Sequence, residues 1–341
     1  MTIESTPIVS VILPTFNRAH LLPRTIKSVF SQTLSNFELI IVNDGSTDNT
    51  LAVLAQISDP RIVLIDLPRN FGATYARNAG IAAARAELVA FLDSDDEWLP
   101  ATLELQVDRL NSSADPLASV VYADEVFSQP KSATNQASPA LSVAKPYEGD
   151  VFYFLCTREL CPSTSMVLVK RSALIRVGGF DINLPSQQDC DLFLKLAYTS
   201  NHFLAVNQPL VIKNNNEFRI SNDLDAKVRG IEVLDCKWGK IIKQRFGDAV
   251  YRQWLNWLFD VVDRLKIRKA ASDGKMMSAW ITFLGSLGSV SHNNFWGRVK
   301  LLLVVLLKQD EQVYKNLYQF YQRKLKHRPS NPAEGQSSLE T

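Results

Sequence analysis

The sequence predicts an α/β fold, a mostly parallel sheet flanked by helices, followed by an α-helical C-terminal region. Three observations predict it. Short apolar runs of strand character alternate with helical spacings through the first half of the chain, the pattern of βαβ units. Those runs are continuous rather than alternating, as in strands covered on both faces. Beyond about Asp225 the strand signals stop and only helical periodicity remains.

The elements follow in order. Val9–Leu13 reads as a buried strand ended by Pro14, and Leu21–Phe30 as a helix with Leu22, Ile26, Val29 and Phe30 on one side. Phe37–Val42 is a second strand, stopped by Asn43, Asp44 and Gly45. Thr50–Ile57 is a helix with Asp48 placed to cap it. A strand over Arg61–Leu67, an alanine-rich helix over Thr74–Arg85 and a strand over Leu88–Leu92 come next. Pro100–Leu110 is a helix with proline in its first turn, and Ser119–Tyr122 a fifth strand. Residues Ser128–Tyr147, rich in Ser, Ala, Pro and Asn, read as a loop. Ser165–Lys170 is another strand, Arg171–Val177 a short helix ended by Gly178 and Gly179, and Cys190–Tyr198 a helix with Asp189 at its start. Further on, Trp254, Leu255, Trp257, Leu258, Val261, Val262 and Leu265 form an apolar helical stripe.

Composition narrows the function. The 341 residues are enough for one large domain and a smaller appendage, and 46% apolar residues support a sizeable core. A net charge of +2 argues against a dedicated nucleic-acid binder. Cys156, Cys161, Cys190 and Cys236 form no CxxC pair and lie far from the histidines, which disfavours zinc and a disulfide framework and suits reduced thiols in the cytoplasm. Met1–Pro7 lacks the basic and apolar pattern of a signal peptide. The longest apolar run, Leu301–Leu307, is fenced by Lys300 and Lys308 and falls well short of the roughly 18 residues that span a bilayer. The expected division is a catalytic domain over 1–224, a helical region over 225–328 and a disordered tail over 329–341.

In parallel sheets, ligands bind outside the carboxyl ends of the strands. The residues there are Pro14-Thr15-Phe16-Asn17-Arg18, Asn43-Asp44-Gly45-Ser46 and Asp93-Ser94-Asp95-Asp96. Three carboxylates crowded at one strand mouth repel unless a cation neutralises them, and Mg²⁺ or Mn²⁺ suits oxygen ligands and phosphate. Capping of the following helix is the other reading of these acids, and both stay open on this cluster alone. Asp44 reads as a turn residue or as a ligand to a nucleotide, and Arg69-Asn70-Phe71-Gly72 and Arg77-Asn78 add cations and amides. Neither a Walker A loop nor a GxGxxG fingerprint is present.

Taken together, these segments resemble the family 2 glycosyltransferases. The resemblance begins with Val9–Arg18, runs through Ser28–Thr33, Glu38–Asp48, Asn70-Phe71-Gly72, Ala76–Gly80 and Phe91–Asp96, and closes with Gly178-Gly179-Phe180-Asp181 and Gln188–Leu192. It covers about Pro7 to Ile220 and rests on the order and spacing of several motifs. It implies a GT-A (Rossmann-like) fold and transfer of a sugar, with inversion, from a nucleotide-diphosphate donor, a UDP-sugar, to an acceptor hydroxyl. It also implies roles. Pro14, Thr15, Phe16, Arg18, Asp44, Asn70, Arg77, Asp93 and Ser94 become donor-binding residues. Asp93 and Asp95 match the DxD motif, with Asp95 the direct ligand of Mn²⁺ or Mg²⁺ and Asp96 a third member. Asp189 matches the catalytic base. Because a carboxylate is a weak base for an alcohol, proton transfer would be concerted with attack.

Two departures from the family pattern stand out. Gln188 replaces the Glu that many relatives carry before the base. Asn214–Ile220 lacks a His found in many relatives, with Arg219 the nearest substitute. A nucleotide-sugar-binding module without turnover therefore stays open. So does a nucleotidyltransferase, although Pro14–Arg18 lacks the glycine of its usual loop. The implied acceptor is a glycan or lipid-linked glycan. Homodimerisation through the C-terminal helices stays open, as does peripheral binding to the inner face of the cell membrane through Lys266, Arg268, Lys269, Arg298, Lys300, Arg323, Lys324 and Lys326.

Overall fold

A computed structural model describes residues 6–127, 146–214 and 223–272. The expected loop over Ser128–Tyr147 (but for its last two residues), the segment from Asn215 to Ile220 with Arg219, the Leu301–Leu307 run, the 329–341 tail and the basic residues from Arg298 onward lie outside the described residues. Residues through Trp257 form one compact unit and Leu258–Thr341 a second.

The first unit is built on an eight-stranded sheet of order β3-β2-β1-β4-β7-β6-β8-β5. Its strands are β1 (Val9–Thr15), β2 (Phe37–Asn43), β3 (Ile62–Asp66), β4 (Leu88–Phe91), β5 (Asp96–Trp98), β6 (Ala118–Phe127), β7 (Val167–Lys170) and β8 (His202–Lys213). β1 pairs in parallel with β2 and β4, and β2 with β3. β7 runs antiparallel to β4 and β6, β8 runs parallel to β6, and β5 antiparallel to β8. The mostly parallel sheet expected from the sequence is present. Every residue of β1, β2 and β4 is buried, as their continuous apolar runs require. Each Leu, Ile, Val or Phe so buried contributes about 1.5–3 kcal/mol.

The helices are α1 (Leu22–Phe30), α2 (Thr50–Leu54), α3 (Ala73–Ala83), α4 (Thr102–Asn111), α5 (Phe152–Thr157), α6 (Arg171–Arg176), α7 (Gln188–Tyr198), α8 (Leu224–Leu234) and α9 (Lys240–Ser272), the last broken at Gly247. α2 is shorter than expected. Asn49 occupies its cap position, while Asp48 accepts the Thr50 N–H at 3.0 Å. α3 lies close on β1 because Gly80 has no Cβ; one built there would sit 2.5 Å from Ile12 Cγ2. This contact fixes the height of Arg77 and Asn78 on the same helix.

Three elements escaped the sequence reading: β5, α5 and β8. β5 lies inside the acidic cluster, in antiparallel register with the end of β8, Asp96 opposite Lys213. A short 3₁₀ turn (Thr164–Met166) precedes β7, and a π-helical turn (Asp235–Gly239) joins α8 to α9. The π turn carries Trp238, whose indole N–H donates to the buried Asp191 carboxylate at 2.9 Å, docking α8 onto α7. Among the described residues, no helix is long and apolar enough to cross a membrane.

Candidate active site

The register puts the ends of β1, β2 and β4 side by side along one edge of the sheet. β6 and β8 run in the same direction and end there too, and the 3₁₀ turn that opens β7 meets them. One edge therefore collects Thr15, Asp44, Asp93, Glu125, Thr164 and Lys213.

The first two loops are zipped together. Asn17, at a φ of 52°, accepts the Thr47 N–H with Oδ1 at 2.8 Å, and its own N–H donates to Ser46 Oγ at 2.9 Å. The Asp44 N–H donates to Thr15 O at 2.8 Å. Among the described residues the buried Thr15 hydroxyl has no hydrogen-bond partner. Asp44 is 2% exposed. Its two oxygens accept the N–H groups of Phe71 and Gly72 at 2.7 and 2.8 Å, so it shapes the Asn70–Gly72 loop directly. Asn70 Oδ1 also accepts the Gly72 N–H. Gly45, at a φ of 65°, permits this approach, since a Cβ there would lie 2.3 Å from the Arg69 carbonyl carbon.

The acidic loop is a network rather than an open cluster. Arg77 Nη2 pairs with Asp93 Oδ1 at 2.6 Å, and the Thr164 hydroxyl reaches both Asp93 oxygens at 3.3 Å. Among the described residues the buried Arg77 Nε has no hydrogen-bond partner. The Asp93 N–H donates to Ser165 Oγ, which in turn donates to Asp96 Oδ2 at 2.6 Å. Asp96 is 2% exposed and ion-paired with Lys213, whose ammonium also stands 3.9 Å from Asp93. Burial works to raise the Asp93 pKa, but Arg77 and Lys213 outweigh it and hold the carboxyl below its ordinary range. Burial pushes Asp96 up to about 7 against the pull of Lys213, with the neighbouring Asp93 charge adding to the rise. Ser94 is buried, and its carbonyl accepts the Thr25 hydroxyl. The Asp95 carbonyl accepts from Arg24 and from Asn214. The half-buried Asp95 carboxylate has no protein partner among the described residues. Among those residues, no three His, Cys, Asp or Glu converge as a metal cage.

Asp189 sits in the first turn of α7, after Gln187 in the left-handed region at a φ of 63°. Its Oδ1 accepts the Cys190 N–H at 2.8 Å. No hydrogen bond or ion pair joins it to the acidic loop among the described residues. The two are linked through the segment before β7. Cys161 lies within electrostatic reach of Asp189 and of Glu125, Ser163 bonds Glu125 at 3.1 Å, and Thr164 bonds Asp93. Three residues of chain reach at most about 11 Å, so both aspartates border one short segment.

Sequence reasoning missed Lys213, Thr164, Ser165 and Arg158. The Gly178–Asp181 motif acquires a physical reason. The Asn78 side chain exchanges two hydrogen bonds with the Phe180 backbone, at 2.8 and 2.9 Å, and Gly179, at a φ of 63°, leaves room for it.

Comparison with known proteins agrees with this layout. The profile of glycosyl transferase family 2 matches residues 10–178. A putative colanic acid biosynthesis glycosyl transferase of Escherichia coli, WcaA, is 32% identical over 195 residues, 57% of this chain and 67% of that protein. The E. coli protein WfgD, a UDP-Glc:alpha-D-GlcNAc-diphosphoundecaprenol beta-1,3-glucosyltransferase, is 40% identical over 103 residues, 30% of this chain and 41% of its own length. The succinoglycan biosynthesis protein ExoO of Rhizobium meliloti is 40% identical over 116 residues, 34% of this chain and 33% of that protein. The matches thus span less than half the length of the last two relatives. In structure, S. aureus TarS residues 1–349 in complex with UDP-GlcNAc superimposes with a TM-score of 0.59 at 18% identity, covering 93% of this chain and 92% of that one. The mannosyltransferase PcManGT of Pyrobaculum calidifontis, in complex with GDP-Man and Mn²⁺, gives 0.53 at 19% identity, covering 90% and 88%. At these identities the likeness establishes the fold, of the GT-A type.

Proposed function

The chain belongs to glycosyl transferase family 2, and from that premise we propose that it transfers a sugar from a UDP-sugar to a hydroxyl of a glycan or lipid-linked acceptor, with inversion, in polysaccharide or glycoconjugate biosynthesis. One observation carries the reading: Asp93 and Asp96 are each held by a cation, while the Asp95 carboxylate between them is left without a protein partner among the described residues.

That arrangement fits a divalent ion of the Mn²⁺ or Mg²⁺ kind. Such ions are commonly held by one or two carboxylates, with substrate phosphates and water completing the oxygen shell. Of the three acids expected as ligands, Asp95 takes that role in this proposal, Asp93 orients Arg77, and Asp96 braces the loop. When bound, the ion supplies positive charge against the departing diphosphate.

The other steps belong to the chain's own side chains. Pro14, Thr15, Phe16 and Arg18 line the place for the base, where the buried Thr15 hydroxyl has no hydrogen-bond partner among the described residues. Asp44 holds the Asn70 loop beside it and retains acceptor capacity on both oxygens. Arg77, fixed by Asp93, offers its guanidinium charge to the donor. Asp189 takes the proton of the acceptor hydroxyl as that oxygen attacks the anomeric carbon, and attack from the face opposite the leaving group inverts the centre. WcaA, by its name in colanic acid biosynthesis, and WfgD, by its diphosphoundecaprenol-linked acceptor, support a place in polysaccharide or lipid-linked glycan synthesis. A donor screen with purified protein and Mn²⁺, read as released nucleoside diphosphate, tests the proposal. Release from UDP-sugars is expected, and no release from any nucleotide sugar in the presence of acceptor refutes it.

A further inference from the structure

Two cations gather beside Asp189 without carboxylates of their own. Arg158 follows α5 in the left-handed region at a φ of 62°, a conformation that costs a non-glycine residue about 1–2 kcal/mol and persists where the surroundings enforce it. Its guanidinium donates Nη1 to Cys190 Sγ at 3.1 Å and Nη2 to Cys161 Sγ, and its plane lies 3.4 Å from the Trp257 ring centroid. Its buried Nε has no hydrogen-bond partner among the described residues. Thiols are weak acceptors, and among the described residues no carboxylate forms an ion pair with Arg158. Arg158 is half-buried, and a guanidinium taken partly out of water is ordinarily matched with an anion. Cys190 directly follows Asp189 in the chain, so the guanidinium adjoins the turn of α7 that carries that carboxylate.

Lys227 approaches from α8. That helix crosses directly over the segment before Asp189, because a Cβ on Gly230, three residues on and on the same helical face, would stand 2.1 Å from Ser186 Oγ. Lys227 is half-buried, and among the described residues its ammonium makes no hydrogen bond or ion pair. Burial pulls its ammonium below the ordinary value, the Asp189 charge restores part of that, and the like charge of Arg158 adds to the depression. Both cations thus adjoin the stretch of chain that carries Asp189.

We propose that Arg158 and Lys227 form an oxyanion subsite on the acceptor side of Asp189, so that the acceptor carries a phosphate or carboxylate beside the hydroxyl that attacks. The inference rests on Asp189 facing the acceptor. The planar fork of arginine suits two-point recognition of either anion, with lysine as a second point charge. Trp257 holds the guanidinium flat and aimed, which reduces the entropy lost when the anion binds. A sugar joined to a lipid through a diphosphate and a glycan bearing a uronic acid both present this chemistry.

The test measures equilibrium binding to the full-length chain of three probes: octyl N-acetylglucosaminide, undecyl-diphosphate-linked N-acetylglucosamine and octyl glucuronide. Nucleoside diphosphate release is recorded in parallel. One anionic probe is expected to bind about tenfold or more tighter than the neutral one, the scale of one charge-assisted hydrogen bond. Arg158→Gln and Lys227→Gln should each remove most of that preference, with Arg158→Lys retaining part of it. Preference for the diphosphate or for the glucuronide identifies the source of the anion. If a variant fails to fold, raising the ionic strength on the unaltered protein should weaken the anionic probe selectively. Equal binding of all three probes, or a preference that survives both glutamine variants or high salt, overturns the subsite. Anion preference without donor turnover would instead remove the transferase reading and leave the subsite standing.

Discussion

Arg77 Nη2 lies 2.6 Å from Asp93 Oδ1, and this pair joins α3 to the mouth of β4. Because Lys213 reaches the same carboxylate from β8, α3, the mouth of β4 and the end of β8 meet at Asp93. Arg77→Met should free Asp93 and remove the guanidinium proposed to bind the donor. The expected result is a fall in kcat/KM of about tenfold to a hundredfold, the loss of one or two charge-assisted hydrogen bonds. Steady-state kinetics at varied donor concentration check this, and an unchanged donor KM and kcat would show that Arg77 serves the fold alone.

Asp95 offers the cleanest separation of chemistry from stability. Its carboxylate makes no hydrogen bond or ion pair among the described residues, so Asp95→Ala should change stability by less than about 0.5 kcal/mol. Donor binding that depends on Mn²⁺ should disappear. Isothermal titration with and without chelator, beside a denaturant melt, reads both effects. Chelator-resistant activity in the unaltered protein would remove the metal from the account.

Glu38 predicts the acid limb of stability. It is 1% exposed, accepts the Ser10 hydroxyl at 2.6 Å and pairs with Arg85 at 2.8 Å. Burial alone would raise its pKa, but the Ser10 and Arg85 interactions prevail and lower it. A depressed folded-state pKa stabilises the fold above the unfolded carboxylate pKa, about 4.3, and that contribution is lost as pH falls through the folded value. Glu38→Gln should therefore lose about 1–3 kcal/mol at neutral pH and show a flatter decline in Tm below about pH 5. Parallel Tm-against-pH curves would refute the assignment.

Much of this fold was legible because the central strands are uninterrupted apolar runs. β1, β2 and β4 announce themselves, and their carboxyl ends point to Thr15, Asp44 and Asp93. β8 was hidden by Asn207-Gln208-Pro209 in its middle, where the pairing with β6 shifts register. β5 was hidden because Asp96-Glu97-Trp98 has no strand-like pattern and exists through its pairing with β8. Losing β8 meant losing Lys213, a partner 117 residues from Asp96 that local spacing cannot reveal. Arg158 was invisible for a similar reason: its surroundings come from α7 and α9, assembled only by tertiary packing.

The roles assigned to the two halves of the site converge on Asp189. The most direct measurement is single-turnover sugar transfer by Asp189→Asn alongside the unaltered protein, with donor affinity measured on the same preparations. The account predicts a fall in the transfer rate of at least about a hundredfold, the low end for a lost general base, with donor affinity retained. A variant that transfers at near the normal rate would contradict it.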